Sequence, residues 1–347
     1  MYGELYTTYN EVTYKIDRKT EKTASEIHYS KIGDVIIPTS GETPEEIATA
    51  TCVMIPGVIL AGDLNIYRTN IIDGRIVSFI INHVINNKIS KVAQGKSVVH
   101  VKAEEIGKIS INYPNAKEQK KILSFLELLD KKIDKQKQLV ESLKSYKRGA
   151  FLELYKNMAK RTVFFKEIYL KAAEGGTPST AISEYYYNGT IPFAKIEDLS
   201  QRYLFCTKSF ITERGLYNSS AWLIPQGSVI FSNGATIGAC SINKIDIATK
   251  QGILGIVPQE DYSSEYLYHF FTSKIFRKKV KAVTTKGTMD CVYLKDLDYI
   301  KIEMPEYNEQ LRIGSILNKI EDILEKNVTI LQKLQCIKNG LLQQLFI

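Results

Sequence analysis

The sequence predicts an α+β chain that is an internal duplication, with two globular segments alternating with two long helices that pair as a coiled coil. Three observations predict this. "PNAKEQKKILSFLELLDKKID" from Pro114 is echoed without a gap by "PEYNEQLRIGSILNKIEDILE" from Pro305, an offset of 191 residues. Between Glu118–Tyr155 and Glu309–Phe346, ten of 38 positions are identical, among them Glu118/Glu309, Gln119/Gln310, Lys147/Lys338 and Gly149/Gly340. Strand-like and turn-rich segments of mixed character precede each copy.

In chain order, residues 1–113 are mixed, and "DVIIPTSG" and "GVILAGDL" read as short strands closed by turn residues. "IDGRIVSFIINHVINNKISKVA" reads as an amphipathic helix, followed by the glycine turn "AQGKS" and a last strand, "KISINYP". The first long helix, about 116–155, opens after Pro114, because proline is tolerated before or at a helix start but not inside. Ile122, Leu126, Leu129, Ile133, Val140 and Leu143 step by four and three, with Gln136 in place of one apolar beat. Residues 162–304 repeat the mixed pattern with the strands "GSVIFSNG" and "GILGIVP". There the helix is "SSEYLYHFFTSKIFRKKVKAV", the turn "TKGT" and the last strand "YIKIEMP". The second long helix, about 307–346, carries Ile313, Leu317, Ile320, Leu324, Leu331 and Leu334, with Asn327 at the beat equivalent to Gln136. About 39 helical residues would span roughly 58 Å, more than a small domain needs, which favours a paired coil. Gln136 and Asn327 are predicted to set its register. The predicted domains are 1–113, 114–160 (spacer helix), 161–304 and 305–347 (spacer helix).

Composition and motifs exclude more than they assert. No run of 18 apolar residues exists, and the start "MYGELYTTYN" has no signal-peptide character. Cys52, Cys206, Cys240, Cys291 and Cys336 are scattered without a C-x-x-C, which predicts reduced thiols and a cytoplasmic protein. "GKS" at 95–97 is not a phosphate loop, because Ser90 stands where the first glycine must be and the segment follows a helix. Glu118-x-Lys120 opens a helix and has no preceding acid, so it reads as surface charge and not a nuclease signature. His28, His83, His100 and His269 have no partner at ligand spacing, and an Asn/Asp-Pro-Pro-aromatic methylation motif is missing. Neither a catalytic site, a metal site nor a cofactor site is predicted.

The charge of +8 favours a polyanionic partner. Polar and aromatic loops supply groups that could meet phosphates and base edges. In the first half they are Tyr6, Thr7, Thr8, Tyr9 and Asn10, then Thr39 and Ser40. In the second they are Thr177, Ser179 and Thr180, then Tyr186 and Asn188, Asn233 and Thr236, Gln251, and Thr288. Each loop alone is ordinary turn chemistry. Together, in a basic duplicated chain without an active site, they tip towards nucleic acid.

The second half carries "GGTPSTAISEYYYNGTIPFAKIEDL", "IPQGSVIFSNGATIG", "TKGT" and the proline–EQ helix; the first carries "IIPTSGETPEEIA", "GDLNIYR", "AQGKSVVHV" and "PNAKEQKKI". On these residues the chain resembles, over nearly its full length, the specificity (HsdS-type) subunit of a type I restriction–modification system. The resemblance implies two target-recognition domains, each reading half of a split site in double-stranded DNA, spaced by the two long helices packed as an antiparallel coiled coil. It implies docking of two methyltransferase subunits, joined by restriction/translocase subunits. Those partners would hold S-adenosylmethionine, ATP and the nuclease site, and this chain no cofactor. Lys19, Arg68 and Lys96, with Lys195, Lys250 and Lys286, are then the candidates for phosphate contacts. The first domain is shorter than the second, so the reading expects it to lack residues at its front. Alternatives are a protein-binding scaffold or a remnant that no longer reads DNA, or, from another class, a hydrolase with an unrecognised site.

Overall fold

In a computed structural model, residues 5, 8–16, 19, 27–60, 62–95, 98–234, 236–285 and 290–345 are described. The candidate residues Tyr6, Thr7, Lys96, Lys286 and Thr288 lie outside these. Contacts divide the chain into unit 1, residues 1–138 and 328–347, and unit 2, residues 139–327. Each long helix therefore contributes one half to each unit, a division that differs from the sequence-based domain bounds.

Unit 1 contains β1 (Val12–Thr13), β2 (His28–Tyr29), β3 (Asp34–Pro38), β4 (Ser40–Gly41), β5 (Thr51–Val53), β6 (Ile59–Leu60), β7 (Leu64–Tyr67) and β8 (Val99–His100). Its main sheet has the order β1-β5-β3-β7, parallel between β1 and β5 and antiparallel elsewhere. All of β3 is buried, as its β-branched run demands. Helix α1 (Pro44–Ile47) starts in a capping box between Thr43 and Glu46. The amphipathic run from Gly74 becomes α2 (Gly74–Ile80), a π turn over Ile81–Ile85, and α3 (Asn86–Val92). Ile76, Ile80 and Ile89 from this run pack on Val35 and Ile37, and Leu123, Leu126 and Leu342 of the long helices close the core. After α4 (Ala103–Gly107), the predicted last strand "KISINYP" does not form; residues 109–115 are irregular. No neighbouring strand pairs with it among the described residues.

Unit 2 contains β9 (Arg161–Phe164), β10 (Tyr169–Glu174), β11 (Ile191–Ala194), β12 (Tyr203–Leu204), β13 (Ser209–Ile211), β14 (Val229–Ser232), β15 (Cys240–Asn243), β16 (Ala248–Thr249), β17 (Ile253–Pro258) and β18 (Lys301–Met304). Its main sheet runs β10-β17-β14-β15-β12, parallel between β12 and β15. From that parallel edge the pairings repeat those of unit 1: one parallel step, then two antiparallel ones. A smaller sheet, β13-β11-β16, stands beside it, and here the last strand, β18, does form, on β9. The predicted amphipathic helix is two, α7 (Ser264–Thr272) and α8 (Lys274–Val283). Ser273 separates them because it leaves helical geometry at ψ 155° to cap α8. Phe165, Phe231, Phe270, Phe271 and Phe276 form the centre of the core, with the Phe271 and Phe276 rings 4.7 Å apart. The short α6 (Glu213–Tyr217) and α9 (Leu294–Leu297) complete the unit's elements among the described residues.

The long helices are α5 (Ala116–Asn157) and α10 (Tyr307–Leu345). The repeated glutamine explains the repeated "EQ". In unit 1, Gln119 is 6% exposed; its Nε2 donates to the Pro114 carbonyl (2.9 Å), and its Oε1 accepts the backbone N–H of Asp73, the cap of α2 (2.9 Å). In unit 2, Gln310 is 1% exposed; it donates to the Pro305 carbonyl (3.0 Å) and accepts the backbone N–H of Ser263, the cap of α7 (3.0 Å). Glu118 completes the start of α5 by accepting the Asn115 backbone N–H (3.0 Å), so it is a capping residue.

Candidate nucleic-acid interface

Within unit 2, several loops are tied to one another by backbone hydrogen bonds. After β10 the chain turns at Gly175–Gly176, and Gly176 N–H donates to the Thr249 carbonyl (3.0 Å). A Cβ on Gly175 would stand 2.2 Å from that carbonyl oxygen, and one on Gly176 2.4 Å from the Ala221 nitrogen, so only glycines permit this approach. The N–H groups of Asn233 and Gly234 both donate to Gly252 O (3.0 and 3.2 Å). Val292 N–H donates to Asn233 O (2.9 Å), which brings Val292 alongside. Lys250 N–H reaches the Ala194 carbonyl (3.0 Å), which sets Lys195 next to it in the chain. Four stretches far apart in sequence, near 176, 195, 233 and 250, thus meet at one place.

On this frame Thr177, Ser179, Thr180, Thr236, Lys250 and Gln251 are exposed, and Lys195 is half-buried. Thr177 Oγ1 lies 3.4 Å from the Gln251 backbone nitrogen, which links the two candidate base-reading loops. Glu174 accepts the Gly252 N–H (2.8 Å), so its carboxylate is held by backbone.

Three of the sequence candidates here are used internally. Asn233 is buried, and its Nδ2 donates to the Val292 carbonyl (3.0 Å), so it fastens a loop, while its Oδ1 is buried without a partner. Tyr186 gives its hydroxyl to the Pro178 carbonyl (2.5 Å) and packs in a small core. Asn188 is exposed, but its φ of 55° marks it as the turn residue that reverses the chain. The neighbouring Tyr187, 76% exposed, is the aromatic that the "YYY" run presents. Tyr293, next to Val292 and not singled out in the sequence, is exposed with Lys295 Nζ 5.4 Å from its ring centre. Its only signal was an aromatic two residues from a lysine.

Unit 1 does not gather its candidates in this way. Arg68 lies at one end of β3, where its guanidinium holds Asp34 with two contacts (2.7 and 2.9 Å) and reaches the Tyr29 carbonyl. Burial works against the Asp34 charge, yet Arg68 and the Lys31 N–H hold the carboxyl below its usual range. Arg68 is therefore engaged, and a free phosphate contact is not what its geometry offers. Thr39 and Ser40 lie at the other end of β3, where Ser40 is buried in β4 and the Thr39 backbone pairs with Asp63 and Val101. Asn10 is exposed and its carbonyl accepts the Thr51 hydroxyl (3.0 Å), Thr8 is exposed and Tyr9 packs in a small core with Leu5 and Ile36. Lys19 is exposed.

Among the described residues no group of three or more His, Cys, Asp or Glu could hold a metal. His83 pairs with Glu11 (2.8 Å), and His269 with Asn318 (2.8 Å). Ser90 lies in α3 and bonds the Pro44 carbonyl, as a helix residue and not part of a phosphate loop. Among the described residues no helix is long and apolar enough to cross a membrane.

The family model of the type I restriction modification DNA specificity domain matches the chain twice, over residues 7–145 and 160–335. The specificity subunit of the type I restriction enzyme MjaIX from Methanocaldococcus jannaschii is 32% identical over 170 residues, 47% of this chain and 39% of that protein. The EcoR124I/EcoR124II specificity subunit from Escherichia coli is 30% identical over 159 residues, 45% of this chain and 39% of that protein. Each alignment therefore spans about two fifths of the relative's length. The crystal structure of the S subunit of a type I restriction–modification system from M. genitalium superposes with a TM-score of 0.59. It is 14% identical and covers 95% of this chain and 86% of that one, a likeness of fold.

Proposed function

Because the chain belongs to the family of type I restriction modification DNA specificity domains, we propose that it is the subunit that reads DNA sequence for a type I restriction–modification complex. The observation that carries this is the meeting of the 176, 195, 233 and 250 stretches of unit 2, with Thr177, Lys250 and Gln251 exposed on them. Lysines at such a place neutralise phosphates and fix orientation, whereas Thr and Gln side chains discriminate base edges. The DNA site is bipartite, one half per family match; the same order of strand pairings in both units supports this. The long helices form an antiparallel coiled coil that spaces the halves. In its support, Leu334 packs with Leu129 and Ile133 in unit 1, while Leu342, further along α10, packs with the earlier Leu123 and Leu126.

Two methyltransferase subunits dock on this chain, and restriction/translocase subunits join through them. Methyl transfer, ATP hydrolysis and cleavage belong to those partners; the present residues orient and select the DNA. The complex works in the cytoplasm, where the genome is. The experiment is selection from a random duplex library by this chain co-purified with its methyltransferase subunits. The expected product is two defined segments separated by a gap of fixed length and free sequence. Enrichment of one unbroken segment, or of none, refutes the bipartite reading.

A further inference from the structure

The two units match closely enough to show what one of them lacks. Glu11 and Arg202, 191 residues apart, precede the parallel edge strands in the same way: their carbonyls accept the N–H groups of Cys52 (2.8 Å) and Ile242 (2.7 Å). On the other side of the sheets, Thr39 N–H donates to Asp63 O (2.9 Å) as Asn233 N–H donates to Gly252 O (3.0 Å). Asp63 and Gly252 are both left-handed turn residues, at φ 63° and 89°. β7 is therefore the counterpart of β17, and Leu64 and Ile66 stand where Ile253 and Gly255 do.

In unit 2 the sheet goes one strand further. β10 lies outside β17, and Gly175 N–H donates to Ile253 O (2.8 Å). Ile253 and Gly255 thus turn their backbone groups to β10, while Leu254 and Ile256 turn theirs to β14. In unit 1 no strand among the described residues lies outside β7. Asp63 O accepts from Thr39, at the end of β3, so by the same alternation the N–H and C=O groups of Leu64 and Ile66 point outward, to an open edge.

A second place is open in the same way. β9, which leads into β10, covers β18: Val163 pairs with Ile302, and Leu297, Ile300, Ile302 and Met304 share one core with Val163, Phe165 and Ile168. The equivalents of those first four, 191 residues back, are Ile106, Ile109, Ile111 and Tyr113. The three isoleucines are only half-buried, and Tyr113 is 47% exposed. Tyr67, at the position of the buried Ile256, is 42% exposed. The open edge and the uncovered apolar strip are the two surfaces that β9 and β10 occupy in unit 2.

We propose that unit 1 is an acceptor for an extended segment of a different protein, two short strands joined by a tight turn. One strand adds antiparallel to β7, and the other pairs with residues 110–113, which then form the strand that β18 is in unit 2. Pairing satisfies the outward groups of Leu64 and Ile66, and apolar side chains of the donor cover Ile106, Ile109 and Ile111. The repeat itself identifies the occupant: the same surface in unit 2 holds residues 161–174, with Phe165 and Ile168 fully buried. A second copy of this chain is not the donor, because its own residues 161–174 are held in the core of its unit 2. The proposal concerns the fold of unit 1 and is tested without DNA, so its failure and that of the DNA reading are separate results.

The test is titration of a fluorescent peptide with the sequence of residues 161–174 into the full chain, read by anisotropy, with amide hydrogen exchange to locate it. The peptide binds, and exchange slows at residues 64–67 and 110–113. The bond from Gly175 to Ile253 fixes the alternation in β10, so the Ala173 N–H points at the neighbouring strand and the Ala172 N–H away from it. A peptide N-methylated at Ala173 therefore binds about tenfold more weakly, whereas one N-methylated at Ala172 binds as the unmodified peptide does. Absence of binding overturns the proposal, as do equal affinities of the two methylated peptides. Protection confined to residues 253–258 and 301–304 means that the peptide displaces its own counterpart in unit 2, and overturns it as well. A chain that is dimeric by light scattering, and that the peptide converts to monomer, makes a second copy the donor and refutes the choice of a different protein.

Discussion

Gln119 and Gln310 show how a repeated letter acquires a meaning. Each joins three groups that would otherwise be buried without partners: the preceding proline carbonyl, its own amide and the N–H of a helix cap. Gln310 also donates to the Asp261 carbonyl (3.1 Å). Replacing it by leucine keeps the volume and leaves the Pro305 and Asp261 carbonyls and the Ser263 N–H without this partner. Gln310→Leu is expected to destabilise unit 2 by about 1–3 kcal/mol per orphaned group, read as a lower midpoint in urea at unchanged slope. An unchanged midpoint would mean water replaces the amide. In the sequence this glutamine stood out only as an identity; that it fastens a helix cap could not be read, because Asp73 and Ser263 lie 46 and 47 residues away. The same blindness hides that Asn233 and Tyr186 are tied to the backbone of their own unit. A polar residue in a turn shows its chemistry in the sequence but not whether the turn faces inward.

At the scale of elements, periodicity and proline placed the long helices closely: about 116–155 and 307–346 were expected, and Ala116–Asn157 and Tyr307–Leu345 are found. Local signals did worse where pairing decides, since "YIKIEMP" finds β9 to pair with and "KISINYP" finds no strand. The helices also carry a contact made twice: Lys338 with Asp130 in unit 1, and Lys147 with Glu321 in unit 2. Lysine positions 147 and 338, and acid positions 130 and 321, are each 191 apart, so the repeat makes one ion pair with the helices exchanged. Such pairs constrain register, and we propose that Gln136 and Asn327 add to it. Both are half-buried, and Asn327 donates back to the Ile323 carbonyl (2.8 Å). Changing both to leucine is expected to hold or raise the melting temperature, because burying an amide in an apolar seam costs stability. It should also blur the spacing between methylated half-sites. Unaltered spacing together with no gain in melting temperature would leave register to the ion pairs alone.

For the whole molecule, the proposed bipartite reading makes DNA affinity separable in two ways, by kind of contact and by half-site. A lysine that neutralises a phosphate contributes to binding on every sequence, and its loss lowers the salt slope by about 0.9 per contact. Lys250→Ala and Lys195→Ala should therefore weaken specific and random duplexes alike and flatten the salt dependence. Thr177→Ala and Gln251→Ala should leave the slope alone and relax preference at one base position, by about 1–3 kcal/mol. Because both residues stand in unit 2, that relaxation should fall in one half of the recognised site and leave the other half as selective as before. The measurement is a salt titration combined with sequencing of the duplexes retained by each variant. Relaxation in both halves would mean that the loops of unit 2 do not read a separate half-site. A changed slope in Gln251→Ala would make it a phosphate contact instead. Asn233→Ala serves as the contrast: its amide fastens the 292 segment, so its loss should lower stability first and preference only through the loops it holds.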